Sequence, residues 1–175
     1  RERKKAGMIR QLGGKHPFLL VYDNRIITLH YIHALLKAES SGLPATYVVT
    51  GSSPKKVKRE ISDIFDLATS AERAIAFCSD AMAEGVNFQA ASGVVFLDIP
   101  SVIRLAEQRV GRVDRLDSPH KEITVYWPDD SPEFRLRTDR RFVERHYMVS
   151  RVLGANMPIP EEFVGSYREE RIAAG

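Results

Sequence analysis

Phe18-Leu-Leu-Val-Tyr22 is a short apolar run between Pro17 and Asp23-Asn24, and it reads as a buried β-strand. Four comparable runs follow: Thr46-Tyr-Val-Val49, Ala74-Ile-Ala-Phe77, Val94-Val-Phe-Leu97 and Ile123-Thr-Val-Tyr126. Between them the apolar residues recur at helical spacing, the pattern of a parallel sheet covered by helices. The expected fold class is α/β, with a mostly parallel central sheet flanked by helices over residues 17–127.

The first intervening helix, capped by Asn24 or Thr28 and reaching Lys37, places Ile27, Tyr31 and Leu35 on one stripe and ends at Ser40-Ser-Gly-Leu-Pro44. The second starts at Ser53-Pro54 and repeats Val57, Ile61, Ile64, Phe65 and Ala68 at i, i+4, i+7, i+8 and i+11. Its first turns carry Lys55, Lys56, Lys58 and Arg59, where the helix dipole prefers acids. That cluster is either a solvated face or a surface for a polyanion.

After Trp127 the texture changes. Pro128-Asp-Asp-Ser-Pro132 breaks the pattern, and a charged helix is expected over residues 139–153, with Phe142, Val149 and Val152 packing back on the lobe. Residues 128–175 therefore read as a C-terminal helical extension. Residues 1–16 carry Arg1, Arg3, Lys4, Lys5, Arg10 and Lys15 against Glu2 and read as a basic extension or linker, either a solvated end or an arm touching phosphate. Without an initiator Met, the chain reads as a fragment.

Composition narrows the function classes. Of 175 residues 43% are hydrophobic and 28% charged, a globular balance, and no apolar run approaches the ~20 residues that span a bilayer, so no membrane partner is expected. The single cysteine, Cys78, lies in an apolar run; it cannot form an internal disulfide and reads as a buried thiol in a reducing, cytoplasmic setting. A net charge of +3 permits a polyanionic partner without demanding one. His30 and His33 lack an acidic or Cys partner, and His120 and His146 are isolated, so no metal site is assigned.

The chemistry concentrates in Glu107-Gln-Arg-Val-Gly-Arg-Val-Asp-Arg115. If residues 102–115 are helical, Gln108, Arg112 and Arg115 share a face, and Ala106, Val110 and Val113 share the roughly opposite one. Arginine suits such a display because its planar fork binds phosphate oxygens bidentately and stays charged at physiological pH. A bland alternative is a charged helix with ion pairs to Glu107 and Asp114, against which stands the cost of Gly111 inside a helix.

Q-R-x-G-R-x-D-R resembles motif VI of superfamily-two helicases. The resemblance implies a RecA-like C-terminal lobe in which Arg112 and Arg115 are catalytic arginine fingers reaching the γ-phosphate of ATP, with Gln108 and Arg109 in supporting positions. Cys78-Ser-Asp-Ala-Met-Ala-Glu-Gly-Val-Asn-Phe-Gln89 sits where motif V lies in that family. By the same resemblance Ser79 and Asn87 contact a phosphate backbone or order the loop, while Glu84 and Gly85 shape it beside the nucleotide. Thr50-Gly51-Ser52-Ser53 matches the region just past motif IV; it is either an anion site at a helix N-terminus or an ordinary cap and turn.

With Leu97-Asp-Ile-Pro100 added, the set looks closest to the Swi/Snf-type ATPases, and within them to the bacterial RNA-polymerase-associated branch. That kinship implies ATP with Mg2+ as cofactor, translocation on double-stranded DNA, and RNA polymerase or another DNA-bound complex as partner. The chain departs from the branch at Ala81-Met82 and at Leu116-Asp-Ser-Pro-His120, where the branch has Ile-Gly-Gln. No G-x-x-x-x-G-K-[ST] occurs, since Gly13-Gly-Lys-His16 lacks both the first glycine and the hydroxyl, and no D-E-x-H-type acid pair occurs either. ATP-Mg is thus expected to be held mainly by a first lobe upstream in the native protein, leaving this lobe inactive alone. Rival readings are a strand-separating helicase or restriction motor built on the same lobe, and an inactive RecA-like scaffold or nucleic-acid-binding module. Retention of both Arg112 and Arg115 argues against the scaffold. A Rossmann-type binder is disfavoured because no G-x-G-x-x-G follows any expected strand.

Overall fold

A computed structural model describes residues 2–38, 42–80, 86–98, 103–113, 119–120 and 122–128. The elements run α1 (Glu2–Lys15), β1 (Phe18–Tyr22), α2 (Ile26–Ala38), β2 (Ala45–Val49), α3 (Lys55–Ile64), β3 (Ala74–Cys78), β4 (Gly93–Phe96), α4 (Ile103–Val110) and β5 (Thr124–Tyr126). All five expected strands form, and every pairing is parallel, in the order β2-β3-β1-β4-β5. The main compact unit comprises Arg1–Asp98 and Gln108–Pro128; Ile99–Glu107 belongs to a second unit, of which only the first turns of α4 are described. The helix expected over residues 139–153, with Phe142, Val149 and Val152, lies outside the described residues.

Burial follows strand position. Central β1, β3 and β4 are buried almost throughout, as strands covered on both faces must be, while edge strands β2 and β5 are partly exposed. Side-chain alternation divides the core into two layers. Leu19, Val21, Ile75, Phe77 and Val95 face α1 and α2, where they pack with Ile9, Leu12, Leu29, Ile32 and Leu36. Phe18 points the other way and meets the Phe65 ring edge-on at 5.5 Å, and Phe65 meets Phe88 at 5.3 Å.

Three sequence expectations change. Residues 2–15, read as an extension or linker, form α1, because Ala6, Ile9 and Leu12 recur every third residue and are buried in the core. On α2 the buried stripe is Leu29, Ile32 and Leu36; the expected stripe points outward, with Ile27 78% and Tyr31 53% exposed, and Leu35 only partly buried at its edge. Both faces of α2 are apolar, so periodicity alone chose the wrong one. Finally, Ser53 does not cap α3: its Oγ accepts the Thr50 N-H at 2.9 Å, and Pro54 takes the cap position, so the helix starts at Lys55. Ile61 and Phe65 are buried as expected from the α3 pattern, whereas Ala68 lies past the helix and is exposed.

His33 is a packing residue, its Nε2 sharing a hydrogen bond with the Thr46 hydroxyl at 3.0 Å and its ring edge against Phe77 at 5.7 Å. No helix among the described residues is long and apolar enough to cross a membrane.

The α2 register is directly testable. Ile32→Ala should cost about 2–5 kcal/mol in urea unfolding, as for a fully buried aliphatic, whereas Ile27→Ala should stay within about 0.5 kcal/mol of the parent.

Candidate functional site

Open α/β sheets bind ligands outside the carboxyl ends of their strands, where the strand order reverses. Here the chain runs from β1 out to β2, returns to β3 beside β1, then crosses to β4 and β5, so the reversal lies around β1. The strand ends there deliver Asp23 after β1, Ser79 and Asp80 after β3, and Leu97 and Asp98 after β4; β2 adds Thr50 beside Ser79. Backbone bonds carry the ladder one residue past each strand: Ser79 N-H to Val49 O at 3.1 Å and Leu97 N-H to Tyr22 O at 2.8 Å.

Arg109 organises this edge. It is only 3% exposed, and an unpaired guanidinium could not be buried so deeply. Its Nε donates to Asp80 Oδ1 at 2.6 Å, its Nη2 is ion-paired to the same carboxylate, and its Nη1 reaches Asp98 Oδ1 at 3.4 Å. The guanidinium carbon stands 5.3 Å from the Tyr22 ring centre and 5.2 Å from that of Phe96, so two aromatic faces complete the cage. Asp98 Oδ2 in turn accepts the Asn24 N-H at 3.3 Å. One cation thereby ties the end of α4 to the ends of β1, β3 and β4.

Burial sets the electrostatics of the surrounding groups. It raises the Asp98 carboxyl against the pull of Arg109. Asp23 is pushed up to about 6 by burial, opposed by the Arg25 N-H that it accepts at 2.7 Å. Burial also pushes the Cys78 thiol up to about 12, which keeps it protonated and unreactive.

The arginine segment is not one continuous helix over residues 102–115. α4 ends at Val110 and a turn follows, closed by Val113 N-H to Val110 O at 2.8 Å. Gly111 explains the stop, since glycine is costly inside a helix and common just past its end. Gln108 and Arg112 are therefore not displayed on successive turns: Gln108 is exposed on α4, while half-buried Arg112 lies in the turn and donates from Nη1 to Val86 O at 3.3 Å. Val113 and Ala106 are buried as expected, but Val110 only partly. Arg109, read as a supporting position beside a nucleotide, is instead enclosed by protein groups. Arg115, Glu84 and Gly85 lie outside the described residues.

Of the expected nucleic-acid residues, Thr50, Gly51, Ser52 and Ser79 lie at the β2 and β3 ends. The Thr50 and Ser52 hydroxyls share a hydrogen bond at 2.9 Å, and Lys58 Nζ donates to Gly51 O at 2.9 Å, bringing a lysine of α3 onto the turn. Gly51 and Ser52 are exposed; Thr50 and Ser79 are buried. The Ser79 Oγ has no protein partner among the described residues. Asn87 is tied inward: its N-H donates to Ser62 Oγ at 3.2 Å and its Nδ2 to Gln89 Oε1 at 2.7 Å, which orders the segment against α3.

No site role was expected for Asp23, Asp80 or Asp98, although Asp80 and Asp98 lie in the segments that carry the resemblance. The available signal was an acid at or just past the end of three strands, followed by an arginine-rich segment with nowhere else to place a buried cation. Among the described residues no group of three or more His, Cys, Asp or Glu could hold a metal ion.

Because the folded-state pKa of Asp23 lies above its ordinary 3.8, the folded state binds the extra proton, and stability is lost as pH rises from about 4 through 6. Asp23→Asn removes that loss. Urea midpoints should show the variant gaining on the parent between pH 4.5 and pH 7, with most of the gain complete by about pH 7.

Residues 5–117 match the model of the helicase conserved C-terminal domain. RNA polymerase-associated protein RapA of Pseudomonas fluorescens (strain Pf-5) is 37% identical over 97 residues, 55% of this chain and 10% of that protein. The homonymous protein of Pseudomonas putida (strain F1) is 35% identical over the same shares. The match thus spans about a tenth of the length of these curated relatives. Among solved structures, Mss116p DEAD-box helicase domain 2, bound to an RNA duplex, superposes with a TM-score of 0.60 at 16% identity, over 96% of this chain and 61% of that one. The C-terminal part of the Fun30 ATPase domain gives 0.56 at 14%, over 71% and 39%. These likenesses show a RecA-like fold of the kind found in helicase domain 2, and the match over residues 5–117 shows that the chain belongs to the helicase conserved C-terminal domain family.

Proposed function

We propose that this chain is the C-terminal motor lobe of an ATP-dependent translocase acting on double-stranded DNA. In this reading Arg112 and Arg115 serve as arginine fingers and the β2 and β3 ends hold one strand's phosphates. The observation that carries it is the Arg109 cage: a buried cation fixes the end of α4 on the strand ends, and Arg112 follows three residues later at the same edge. Placing a guanidinium reproducibly is what a finger needs, because charge stabilisation in phosphoryl transfer depends on preorganised position.

The donors at this edge are of the phosphate-binding kind: the Arg112 guanidinium, the exposed Gln108 amide, and the Thr50, Ser52 and Ser79 hydroxyls. ATP with Mg2+, held mainly by a partner lobe, supplies the phosphoryl group whose transfer drives the motor. Arg112 and Arg115 would meet its γ-phosphate when the lobes close, with Gln108 beside them. Arg109 acts through the position of Arg112, which donates to Val86 O, and Glu84 and Gly85 would order the segment that leads to Val86 beside the nucleotide.

On the nucleic-acid side, Thr50, Gly51, Ser52 and Ser79 would take phosphate oxygens, supported by Lys58 and by the neighbouring Lys55, Lys56 and Arg59 of α3. Asn87 orders the approach to them. Ser79 stands among the proposed phosphate contacts and Val86 accepts from Arg112, so in this reading the segment between them would let each site bias the other. RNA polymerase is the partner favoured by the relatives' description as RNA polymerase-associated, and a cytoplasmic setting accords with both.

In the full-length protein, Arg112→Ala should lower DNA-stimulated ATP hydrolysis by about 10³-fold or more, the scale set by removed arginine fingers. Duplex binding, measured by anisotropy without nucleotide, should change less than about threefold. Equal loss of both activities would refute the assigned division of labour.

A further inference from the structure

We propose that the outer faces of α1 and α2 form a docking surface for an acidic amphipathic helix of a partner protein. This surface lies on the opposite side of the sheet from Arg109 and Phe65, which meet the strand residues Tyr22 and Phe18, whereas α1 and α2 cover Leu19 and Val21. It is separate from the site of ATP and nucleic acid proposed above and stands independently of that reading.

The first observation is the composition of α2. Its inner stripe, Leu29, Ile32 and Leu36, fills the core, yet Ile27, Tyr31, Ala34 and Ala38 recur at i, i+4, i+7 and i+11 on the outside. Ile27 is 78% exposed and Tyr31 53%, with Ile26 at 44% beside them. Single exposed apolar residues are ordinary, but a helix apolar on both faces is the mark of one buried on both sides. Among the described residues only one of them is covered.

Charge identifies what the second layer would be. Across the two helices, which pack on each other, Arg3, Lys4 and Lys15 are exposed cations; Arg10 and Lys37 also interact within the chain, and Lys5 turns inward, donating to Leu97 O at 3.1 Å and pairing with Glu2, the one carboxylate of the two helices, at 3.9 Å. An apolar stripe flanked by cations complements a helix with leucines on one face and acids around them. A nucleic-acid backbone would use the cations and leave the aliphatic stripe uncovered, so a protein segment fits better. Gly7 adds to this: nothing stands within 4 Å of where its Cβ would be, so the lobe's own packing does not require glycine there. Mid-helix glycine costs about 1 kcal/mol against alanine, and on this face it lets an opposing backbone approach closely.

The test is fluorescence anisotropy with the 175-residue chain and three labelled probes. These are a helical peptide of about 18 residues, some 27 Å long, with Leu at i, i+3 and i+7 and Glu elsewhere, a Glu-only peptide of equal length, and duplex DNA. The Leu/Glu peptide should bind, and Ile27→Asp should weaken it about tenfold or more with an unchanged thermal midpoint. Lys4→Glu, a test of the charge component at an exposed cation of α1, should also weaken it, and neither variant should alter duplex binding. The proposal is overturned if Ile27→Asp leaves peptide affinity unchanged or the Glu-only peptide binds as tightly. It is equally overturned if duplex affinity falls with Ile27→Asp, or if the chain self-associates through this face in sedimentation.

Discussion

A guanidinium buried to 3% exposure is the constraint on which the functional edge of this lobe depends. Arg109 could not sit between the Tyr22 and Phe96 rings without compensating negative charge, and Asp80 and Asp98 supply it from two different strand ends. The requirement runs both ways. Asp98 carries a carboxyl raised by burial, so without Arg109 it would be an uncompensated charge in a dry setting. Cation and carboxylates therefore hold one another in place, and the end of α4, Asp80 just past β3 and the turn after β1 are fixed together.

That coupling gives the proposed motor chemistry its geometry. Arg112 follows Arg109 by three residues and donates to Val86 O, six residues after Asp80 in the sequence. Thr50 and Ser79 stand at the ends of adjacent strands on the same edge. A RecA-like lobe of this kind needs little chemistry of its own; it needs a few donors placed with low positional freedom, and a closed network of ion pairs and rings is a direct way to place them. The opposite side of the sheet is built for another purpose, with an apolar, cation-flanked helix pair rather than a polar edge.

Much of the fold was legible because parallel-sheet strands announce themselves as short continuous apolar runs, and all five runs became strands within one residue of their expected bounds. Helix orientation was less legible. α2 is apolar on both faces, so the stripe through Ile27 and Tyr31 looked as good as the one through Ile32 and Leu36, and only packing against α1 and the sheet decides between them. α1 was masked by its lysines and arginines, although Ala6, Ile9 and Leu12 were already spaced for a buried face. At the site, the arginine-rich segment stood out in the sequence, but the inward turn of Arg109 did not. That Arg109 turns inward depends on Asp80 and Asp98, 29 and 11 residues away, and no local pattern brings those three together.

A double-mutant cycle on Arg109 and Asp80 tests the central claim most directly, with urea unfolding of Arg109→Met, Asp80→Asn and the pair. If the cage organises this edge, Arg109→Met alone costs about 3–5 kcal/mol, and the pair costs less than the sum of the singles by more than about 1 kcal/mol. Strictly additive effects, or an Arg109→Met variant as stable as the parent, would contradict the account.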